Sequence, residues 1–412
     1  MTTTDPAPPT EATLTEWGDR RGVRRRRRRR PAPAANRLWR FVFPLLLVGL
    51  AVVAVDLWRE GTKAVLDSTD GTLVEIESDP NAPGFEAFVS PTPTMLVLHT
   101  DGADQLVGVT VLARTLLDNG GQAVLVSVDL AVDGATLAEQ YAAGGADAVE
   151  QTVGQLFAFG FRETLTLPTR DFAPLLGLVE PLPFVLLDDL VVTNDEGAGE
   201  VWLAAGRHDL DGGDAAELYS FRNVGEADVN RNERQLDLWT VWLQAISQAD
   251  DLDAAALPFD DGLSPYLRAF AVGQRDLQVA PAVPTLLADG TAVYTFDDAG
   301  EEWLADLSER MTPLPIAPLG SDQPTVRLLD GVGDRRIAQA ALDSMARLAE
   351  ITIVGNAVEF GVTQTTVSYH DQAAAEAAQT LANRIGATAV FDPRPEDPVD
   401  LTVVIGTDWE AP

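Results

Sequence analysis

Residues 219–235 concentrate polar side chains of types that could bind an anion. The stretch reads YSFRNVGEADVNRNERQ and contains Arg222, Arg231 and Arg234, in a part of the chain that has few cations. Arg231 and Arg234 are three residues apart, so they share one face of a predicted helix. Guanidinium groups suit a pyrophosphate because each donates two hydrogen bonds to adjacent oxygens, and Asp228 could hold a metal ion or orient them. The same spacing also fits a helix start whose arginines pair with surrounding acidic groups.

Other reaction chemistries have little support in the sequence. The chain has no Cys, which excludes thiolate metal sites and Cys nucleophiles. Its three His, at positions 99, 208 and 370, are far apart and form no metal-binding motif. The sequence contains no GxSxG, no Walker loop and no GxGxxG after a strand. The pair Gly144 and Gly145 interrupts a helical pattern and is interpreted as a helix break.

The distribution of charge separates the N-terminus from the remainder of the chain. The chain has 412 residues and a net charge of -34. Residues 1–40 carry 11 Arg and 4 acidic residues, whereas the remaining residues carry 18 basic and 59 acidic side chains, a net charge of -41. Nucleic-acid binding needs clustered cations that neutralise phosphates. We therefore expect no nucleic-acid partner.

Residues 38–58 are predicted to form a single transmembrane helix. At about 1.5 Å per residue, a helix of this length reaches about 30 Å, the thickness of a bilayer core. An Arg run, residues 24–30, precedes the segment and favours a cytoplasmic N-terminus. A cleaved signal peptide would have a shorter apolar region, and a buried core helix would not have an Arg block beside it. We therefore expect an uncleaved, single-pass anchor in the cell membrane, with the bulk of the chain outside the cytoplasm.

The elements that must position the polar stretch alternate between strands and helices. Residues 94–101 are predicted to form a buried strand, and residues 108–130 a strand pair joined by an Asn-Gly turn. Residues 135–160 and 234–249 show apolar side chains at helical spacing. The pattern predicts an α/β domain with helices packed on a mixed sheet. Between residues 250 and 320, a strand at 291–296 and a helix around 301–310 are predicted, but the elements of this region cannot be placed in a topology from the sequence.

A second, smaller α/β domain is predicted at the C-terminal end. Its apolar runs and helical segments follow a βαββαβ pattern. A domain of this length is large enough to form an independent core. The predicted organisation is a basic cytoplasmic tail (1–37), the transmembrane helix (38–58), a spacer (59–93), an extracytoplasmic domain (94–320) and the C-terminal domain (324–412).

The order of these parts and several local motifs resemble the LytR-CpsA-Psr family of membrane-anchored cell wall proteins. The C-terminal domain resembles the family's C-terminal domain, with LLDGVGDRRIAQAALDSM after its first strand and VVIGTDW at its end. In the first domain, AEQYAAGGADAVEQ and GRHDLDGGDAAELY resemble family segments. The resemblance implies the fold of an enzyme that transfers a glycopolymer from a polyprenyl pyrophosphate carrier onto peptidoglycan. Such an enzyme uses a divalent metal and several Arg around the pyrophosphate.

Several positions match the family's arginine motif in register. They are Tyr219, Asp228, Arg231, Arg234 and Gln235. The resemblance implies pyrophosphate binding by Arg222, Arg231, Arg234 and Gln235. It also implies metal binding by Asp228 and by Asp104, which follows the first strand.

Other positions depart from the family pattern. Phe221 and Asn223 replace two arginines of the motif. A second signature, Ser-Ile-Pro-Arg-Asp in the family, is represented here by SVDLA at residues 127–131, without its Arg and its metal-binding Asp. Losing one preorganised charge costs about 10²-fold or more in rate.

The first hypothesis is therefore a non-catalytic, degenerate family member that binds a lipid-linked or wall glycopolymer. A second is a divergent phosphotransferase that ligates glycopolymer from polyprenyl pyrophosphate to peptidoglycan, and only this hypothesis requires Mg²⁺ as cofactor. A third is a protein-docking scaffold without a ligand, in which the C-terminal domain binds the partner.

Overall fold

The computed structural model describes residues 77–193, 199–256, 262–287, 290–394 and 396–410. These residues belong to one compact unit, Ile76–Pro412. The predicted tail (1–37), the predicted transmembrane helix (38–58) and the first part of the spacer lie outside the described residues. In the part that is described, no helix is both long enough and apolar enough to cross a membrane.

Among the described residues, the unit contains two large sheets with helices packed on them and four two-stranded sheets. The strands are β1 (Glu86–Phe88), β2 (Thr94–Thr100), β3 (Leu106–Arg114), β4 (Gly120–Val126), β5 (Ala131–Val132), β6 (Ala135–Thr136), β7 (Glu163–Pro168), β8 (Leu182–Leu186), β9 (Leu190–Thr193), β10 (Gly199–Leu203), β11 (Gly206–Leu210), β12 (Gln274–Val279), β13 (Val283–Leu286), β14 (Ala292–Thr295), β15 (Thr325–Asp330), β16 (Glu350–Asn356), β17 (Thr366–Tyr369), β18 (Thr388–Phe391) and β19 (Leu401–Ile405). The α-helices are α1 (Leu137–Phe157), α2 (Thr169–Leu176), α3 (Gly212–Ser220), α4 (Asp228–Ser247), α5 (Leu252–Ala255), α6 (Ser264–Val272), α7 (Asp298–Met311), α8 (Arg335–Met345) and α9 (Ala375–Ile385).

The first domain is built on a five-stranded sheet in the order β12, β4, β3, β2, β7. Strands β2, β3 and β4 are antiparallel, while β12 and β7 run parallel to their neighbours. The predicted mixed sheet, its first strand and its strand pair are therefore confirmed. Every side chain of β2 is buried, because helices cover both faces of the sheet.

The two faces of this sheet have separate hydrophobic cores. Met95 and Val97 point into a core formed with α2 to α6, whereas Leu96 and Leu98 point into a core formed with α1 and α7. The alternation follows from the two-residue period of a strand. The domain is thus a three-layer α/β sandwich.

The helices agree with the predicted pattern but differ at their ends. Helix α1 is interrupted at Gly145, whose φ of 69° lies outside the helical region, so the predicted break is confirmed. Helix α4 begins at Asp228, six residues before the predicted start, and this places the arginine stretch partly inside the helix. Residues 250–320, which the sequence left unplaced, supply α6, the edge strand β12 and α7.

The C-terminal sheet has six strands, in the order β1, β16, β15, β19, β17, β18. Its chain order from residue 325 is βαββαββ, so the predicted βαββαβ pattern is wrong by one strand. The additional strand, β18, is short and largely exposed at the sheet edge, and it therefore lacks the apolar pattern by which a strand is recognised. The other edge strand, β1, belongs to the predicted spacer and pairs antiparallel with β16.

Candidate functional site

The arginine stretch lies where three elements of the first domain meet. Helix α3 ends at Ser220, a short loop follows, and α4 begins at Asp228. The first turns of α4 contact the segment that leaves the end of β4, residues 127–129. The local sequence explains this loop, because Gly225 has a φ of 78°, which glycine adopts readily.

Asp228 is the centre of the site. Its side chain is 0% exposed, and one carboxylate oxygen accepts hydrogen bonds from the Ser127 hydroxyl at 2.7 Å and from the Val128 N–H at 2.9 Å. The other oxygen pairs with the guanidinium of Arg231, one helical turn further along α4. Both oxygens of this buried carboxylate are therefore engaged by the protein itself.

Arg222 contacts the site from the loop before α4. Its guanidinium lies 2.9 Å from the Asp129 carboxylate and 3.9 Å from that of Asp228. Its Nε donates to the Glu226 carbonyl at 2.8 Å. The side chain is 34% exposed, so one side of the guanidinium faces solvent.

Arg234 is held by the same loop. Its guanidinium pairs with the Glu226 carboxylate and donates to the Phe221 carbonyl at 2.8 Å. We name Arg222, Arg231 and Arg234, together with Asp129, Glu226 and Asp228, the arginine–carboxylate cluster. Three positive and three negative side chains meet in it, so the formal charge of the cluster is zero.

Gln235 takes a structural position beside the cluster. Its side-chain amide donates to the carbonyls of Val107 and Tyr219, both at 2.9 Å. These two bonds tie α4 to the end of α3 and to β3. The amide N–H groups of Gln235 are thereby directed at backbone carbonyls and away from solvent.

Asp104 lies outside the cluster. It occupies the exposed turn between β2 and β3, with a φ of 57°, and its N–H donates to the Asp101 carbonyl. In the described ranges, no group of three or more His, Asp or Glu side chains is arranged to hold a metal ion. The oxygens of Asp228 are already engaged, and Asp104 shares no hydrogen-bond or ion-pair partner with it among the described residues. The two residues, as arranged here, do not fit a divalent-metal site.

Sequence reasoning missed several residues of the site. Asp129 and Glu226 are the partners that neutralise Arg222 and Arg234, but only their tertiary positions identify them. Asn232 is fully buried on the same face of α4 as Asp228 and Gln235, and neither atom of its amide has a partner among the described residues. Its signal in the sequence is its position, four residues after Asp228 and three before Gln235.

An aromatic group fills the core beneath the cluster. The ring of His99 lies 4.3 Å from that of Tyr219 and 5.0 Å from that of Phe172, and Trp239 and Trp242 pack beside them. Burial lowers the pKa of His99 to about 3, because the imidazolium form would lose its hydration here. Burial likewise raises the pKa of Tyr219 to about 12. Both groups are therefore neutral at ordinary pH, and the core carries no charge.

Comparisons with known proteins give one family match and several similar structures. Residues 323–409 match the family model described as "LytR cell envelope-related transcriptional attenuator". No curated protein matches the chain.

Three similar solved structures cover the chain to comparable extents. TagV of B. subtilis is 15% identical, with a TM-score of 0.44 over 54% of this chain and 97% of its own. TagT bound to LIIa-WTA is 14% identical, with a TM-score of 0.43 over 57% and 93%. A transcriptional regulator from Enterococcus faecalis is 18% identical, with a TM-score of 0.42 over 54% and 87%.

The family match lies on the six-stranded sheet and its helices, from just before β15 to just after β19. It confirms the resemblance stated for this part of the sequence: the chain carries a LytR-type C-terminal domain.

Proposed function

We propose that this protein is a membrane-anchored, extracytoplasmic cell-envelope protein whose first domain is a non-catalytic member of the LytR-CpsA-Psr family. In this proposal, the first domain binds the sugar part of a wall glycopolymer. The anchor is the segment at residues 38–58, and the C-terminal domain lies on the same side of the membrane as the first domain. Mg²⁺ has no part in the proposed function.

The observation that carries this proposal is the charge balance of the arginine–carboxylate cluster. A pyrophosphate carries two or more negative charges and needs uncompensated cations. Here Arg231 and Arg234 are paired with Asp228 and Glu226 inside the protein. A pyrophosphate would have to separate these pairs, and each separation would leave a carboxylate without its cation. The cluster therefore disfavours the phosphotransferase hypothesis.

A neutral sugar suits the exposed part of the cluster better. Arg222 offers hydrogen-bond donors and Asp129 offers acceptors, and the two side chains are 34% and 28% exposed. Sugar hydroxyls donate and accept, so a mixed pair satisfies them without a change in net charge. The net negative charge of the chain after residue 40 also disfavours a phosphate-rich polymer. We therefore propose a neutral wall polysaccharide as the partner and Arg222 as the residue that contacts it.

The test measures binding of three ligands to the purified full chain by calorimetry, with and without Mg²⁺. The ligands are a neutral galactan oligosaccharide, wall teichoic acid released from peptidoglycan, and geranyl pyrophosphate as a soluble polyprenyl pyrophosphate. We expect the galactan to bind without a magnesium effect, and Arg222→Ala to weaken that binding about tenfold, as for the loss of a hydrogen bond to a charged group. Arg170→Ala is the matched control, because Arg170 is an exposed arginine of the same domain outside the cluster.

Two outcomes would overturn the proposal. Magnesium-dependent binding of geranyl pyrophosphate would support the phosphotransferase and would justify a transfer assay. Failure of all three ligands to bind would support the protein-docking scaffold.

A further inference from the structure

A cavity lies beside α1 and α7, and no residue of the arginine–carboxylate cluster lines it. Its volume is about 730 Å³, within the range of about 300–1,000 Å³ that is typical of ligand sites. The cavity belongs to the face of the five-stranded sheet that α1 and α7 cover. Its walls come from the first domain, except for Arg347, which belongs to the C-terminal domain.

The floor of this cavity is apolar. It contains buried and half-buried side chains of the core between the sheet, α1 and α7, namely Leu130, Leu156, Phe157, Phe296 and Leu304. Such a floor favours an apolar ligand body, at about 25 cal/mol per Å² of apolar surface removed from water. A fully hydrated polar ligand would gain little from this part of the cavity.

Arg347 gives the cavity one positively charged end. Its guanidinium donates to the carbonyls of Ser308, Thr312 and Ala158, at the ends of α7 and α1. Among the described residues, no carboxylate oxygen lies within 4.0 Å of this guanidinium, the distance limit for an ion pair. Desolvation lowers the pKa of Arg347, and Glu309 only partly offsets this effect. The cation is therefore met by backbone carbonyls and the Thr312 hydroxyl and by no carboxylate of the described residues, in a chain whose net charge is strongly negative.

Ser308 adds an unused hydroxyl at the same end of the cavity. The residue is 4% exposed and lines the cavity, and its hydroxyl has no hydrogen-bond partner in the part of the chain that the structure describes. A buried polar group is ordinarily satisfied by protein, water or a ligand. A hydroxyl beside a guanidinium provides donors for the oxygens of an anionic head group.

The rim limits the charge that such a head group can carry. Glu301 and Glu309 line the cavity and are exposed, so water weakens their repulsion, whereas Arg347 acts from a less hydrated position. A single negative charge is favoured at Arg347 under these conditions. A doubly charged phosphate is disfavoured, because both glutamates repel it and only one cation offsets the repulsion.

We propose that this cavity binds a long-chain carboxylate, with its chain on the apolar floor and its carboxylate on Arg347 and Ser308. The site shares no residue with the arginine–carboxylate cluster, although Leu130 in its floor directly follows Asp129 in the chain. Its ligand would contact both domains, since Arg347 is contributed by one and the floor by the other. The proposal does not depend on whether the first domain binds a glycopolymer.

The test uses residues 76–412, because this part forms one compact unit with hydrophobic cores of its own. Calorimetry would compare decanoate, decan-1-ol and decyl phosphate, each below its micelle concentration or its solubility limit. We expect decanoate to bind at one site and about tenfold or more tightly than the other two, as for a charge-assisted pair with Arg. Arg347→Gln should remove this preference.

Two further variants keep the test decisive if Arg347→Gln lowers stability. Ala305→Phe places a ring in the cavity from an exposed position on α7, and it should abolish decanoate binding while the melting temperature is retained. Arg336→Gln is the matched control, because its side chain is 91% exposed in the same domain. Equal binding of decanoate and decan-1-ol, unchanged binding in Ala305→Phe, or no binding of decanoate would each overturn the proposal.

Discussion

The chemistry of each residue in the arginine–carboxylate cluster is set by its partner more than by its type. Arg231 and Arg234 are cations of the kind that bind phosphates, yet Asp228 and Glu226 neutralise them inside the fold. Arg222 has the same side chain but is the most exposed of the three, so it offers a guanidinium face to a ligand most readily. Asp228, an expected metal ligand, instead serves as the acceptor that joins α4 to the end of β4.

At this scale we expect Asp228→Asn to destabilise the protein strongly. The substitution leaves the buried guanidinium of Arg231 without its carboxylate, and breaking a buried pair in this way costs about 3–5 kcal/mol. Urea denaturation measures the loss in the free energy of unfolding. Asp129→Asn is the control, because Asp129 belongs to the same cluster in a more exposed pair, and its substitution should cost about 1 kcal/mol or less. Equal effects of the two substitutions would contradict the structural role of Asp228.

A second residue-scale prediction concerns pH. The pKa of His99 falls from its ordinary value of 6.5 to about 3 in the folded protein. The unfolded chain therefore binds an additional proton between these values, so this contribution to stability is complete above about pH 6.5 and is lost as the pH falls towards 3. At about pH 5 the loss is about 2 kcal/mol.

The measurement is urea unfolding of the wild-type protein and of His99→Leu at about pH 7.5 and about pH 5. Leucine is close to histidine in volume and does not titrate, so the variant should lose less stability on acidification than the wild-type protein. If both proteins lose the same stability, His99 does not carry the expected share of the acid sensitivity.

At the scale of elements, the C-terminal sheet depends on a strand from the other end of the described chain. Strand β1 completes the edge beside β16, and Glu86 in β1 lies 3.3 Å from the guanidinium of Arg327 in β15. The chain before β1 is fastened by Asn356, whose side-chain amide donates to the carbonyls of Pro80 and Ala82 at 3.2 and 2.7 Å. A segment predicted as a spacer is thus part of a domain that begins more than 200 residues later.

We therefore expect Asn356→Ala to loosen β1 without unfolding the first domain. The substitution removes two hydrogen bonds, each worth about 1 kcal/mol. Hydrogen exchange should become faster at the amides of residues 84–89 and stay slow in β2 and β3. Gln339→Ala serves as the control, since Gln339 is exposed on α8 and bonds only along its own helix to Asp343. Exchange that remains slow at residues 84–89 would show that Asn356 is not needed to hold this segment.

At the scale of the molecule, the linker between the two sheets packs into the first domain. The Gly160 N–H donates to the Ile316 carbonyl at 2.7 Å, and a Cβ at Gly160 would lie 2.2 Å from the Ala317 carbonyl oxygen. Arg347 adds its bonds to the ends of α1 and α7. These contacts couple the domains, and so we expect residues 76–412 to unfold in one calorimetric transition.

Gly160→Ala tests this coupling. The methyl group forces the linker away from the first domain, which costs about 1–3 kcal/mol, as overpacking does elsewhere. We expect a lower melting temperature and a transition that broadens or divides in two. Gly102→Ala is the matched control, because a Cβ at Gly102 meets nothing within 4 Å. One sharp transition at the original temperature would contradict the proposed coupling of the domains.

The sequence alone determined the features that local patterns encode. Continuous apolar runs predicted the buried strands of the first sheet, and the glycine pair predicted the break in α1, because a strand buried on both faces and a residue with positive φ leave local signals. The resemblance of the C-terminal domain was also found from the sequence. Strand β18 and the early start of α4 were missed, because a short exposed strand and a helix start without a capping side chain leave weak signals.

Only the tertiary structure decided which charges meet. The sequence left open whether the three arginines bind a pyrophosphate or pair with acidic groups, because pairing depends on the distance between residues such as Arg222 and Asp129, which are remote in the chain. The sequence likewise did not predict the position of β1 in the C-terminal sheet or the contact of Arg347 with two helix ends. Backbone pairing and helix capping across domains leave no periodic pattern in the sequence. Local propensity thus fixed the elements, and long-range contacts fixed the chemistry of the site.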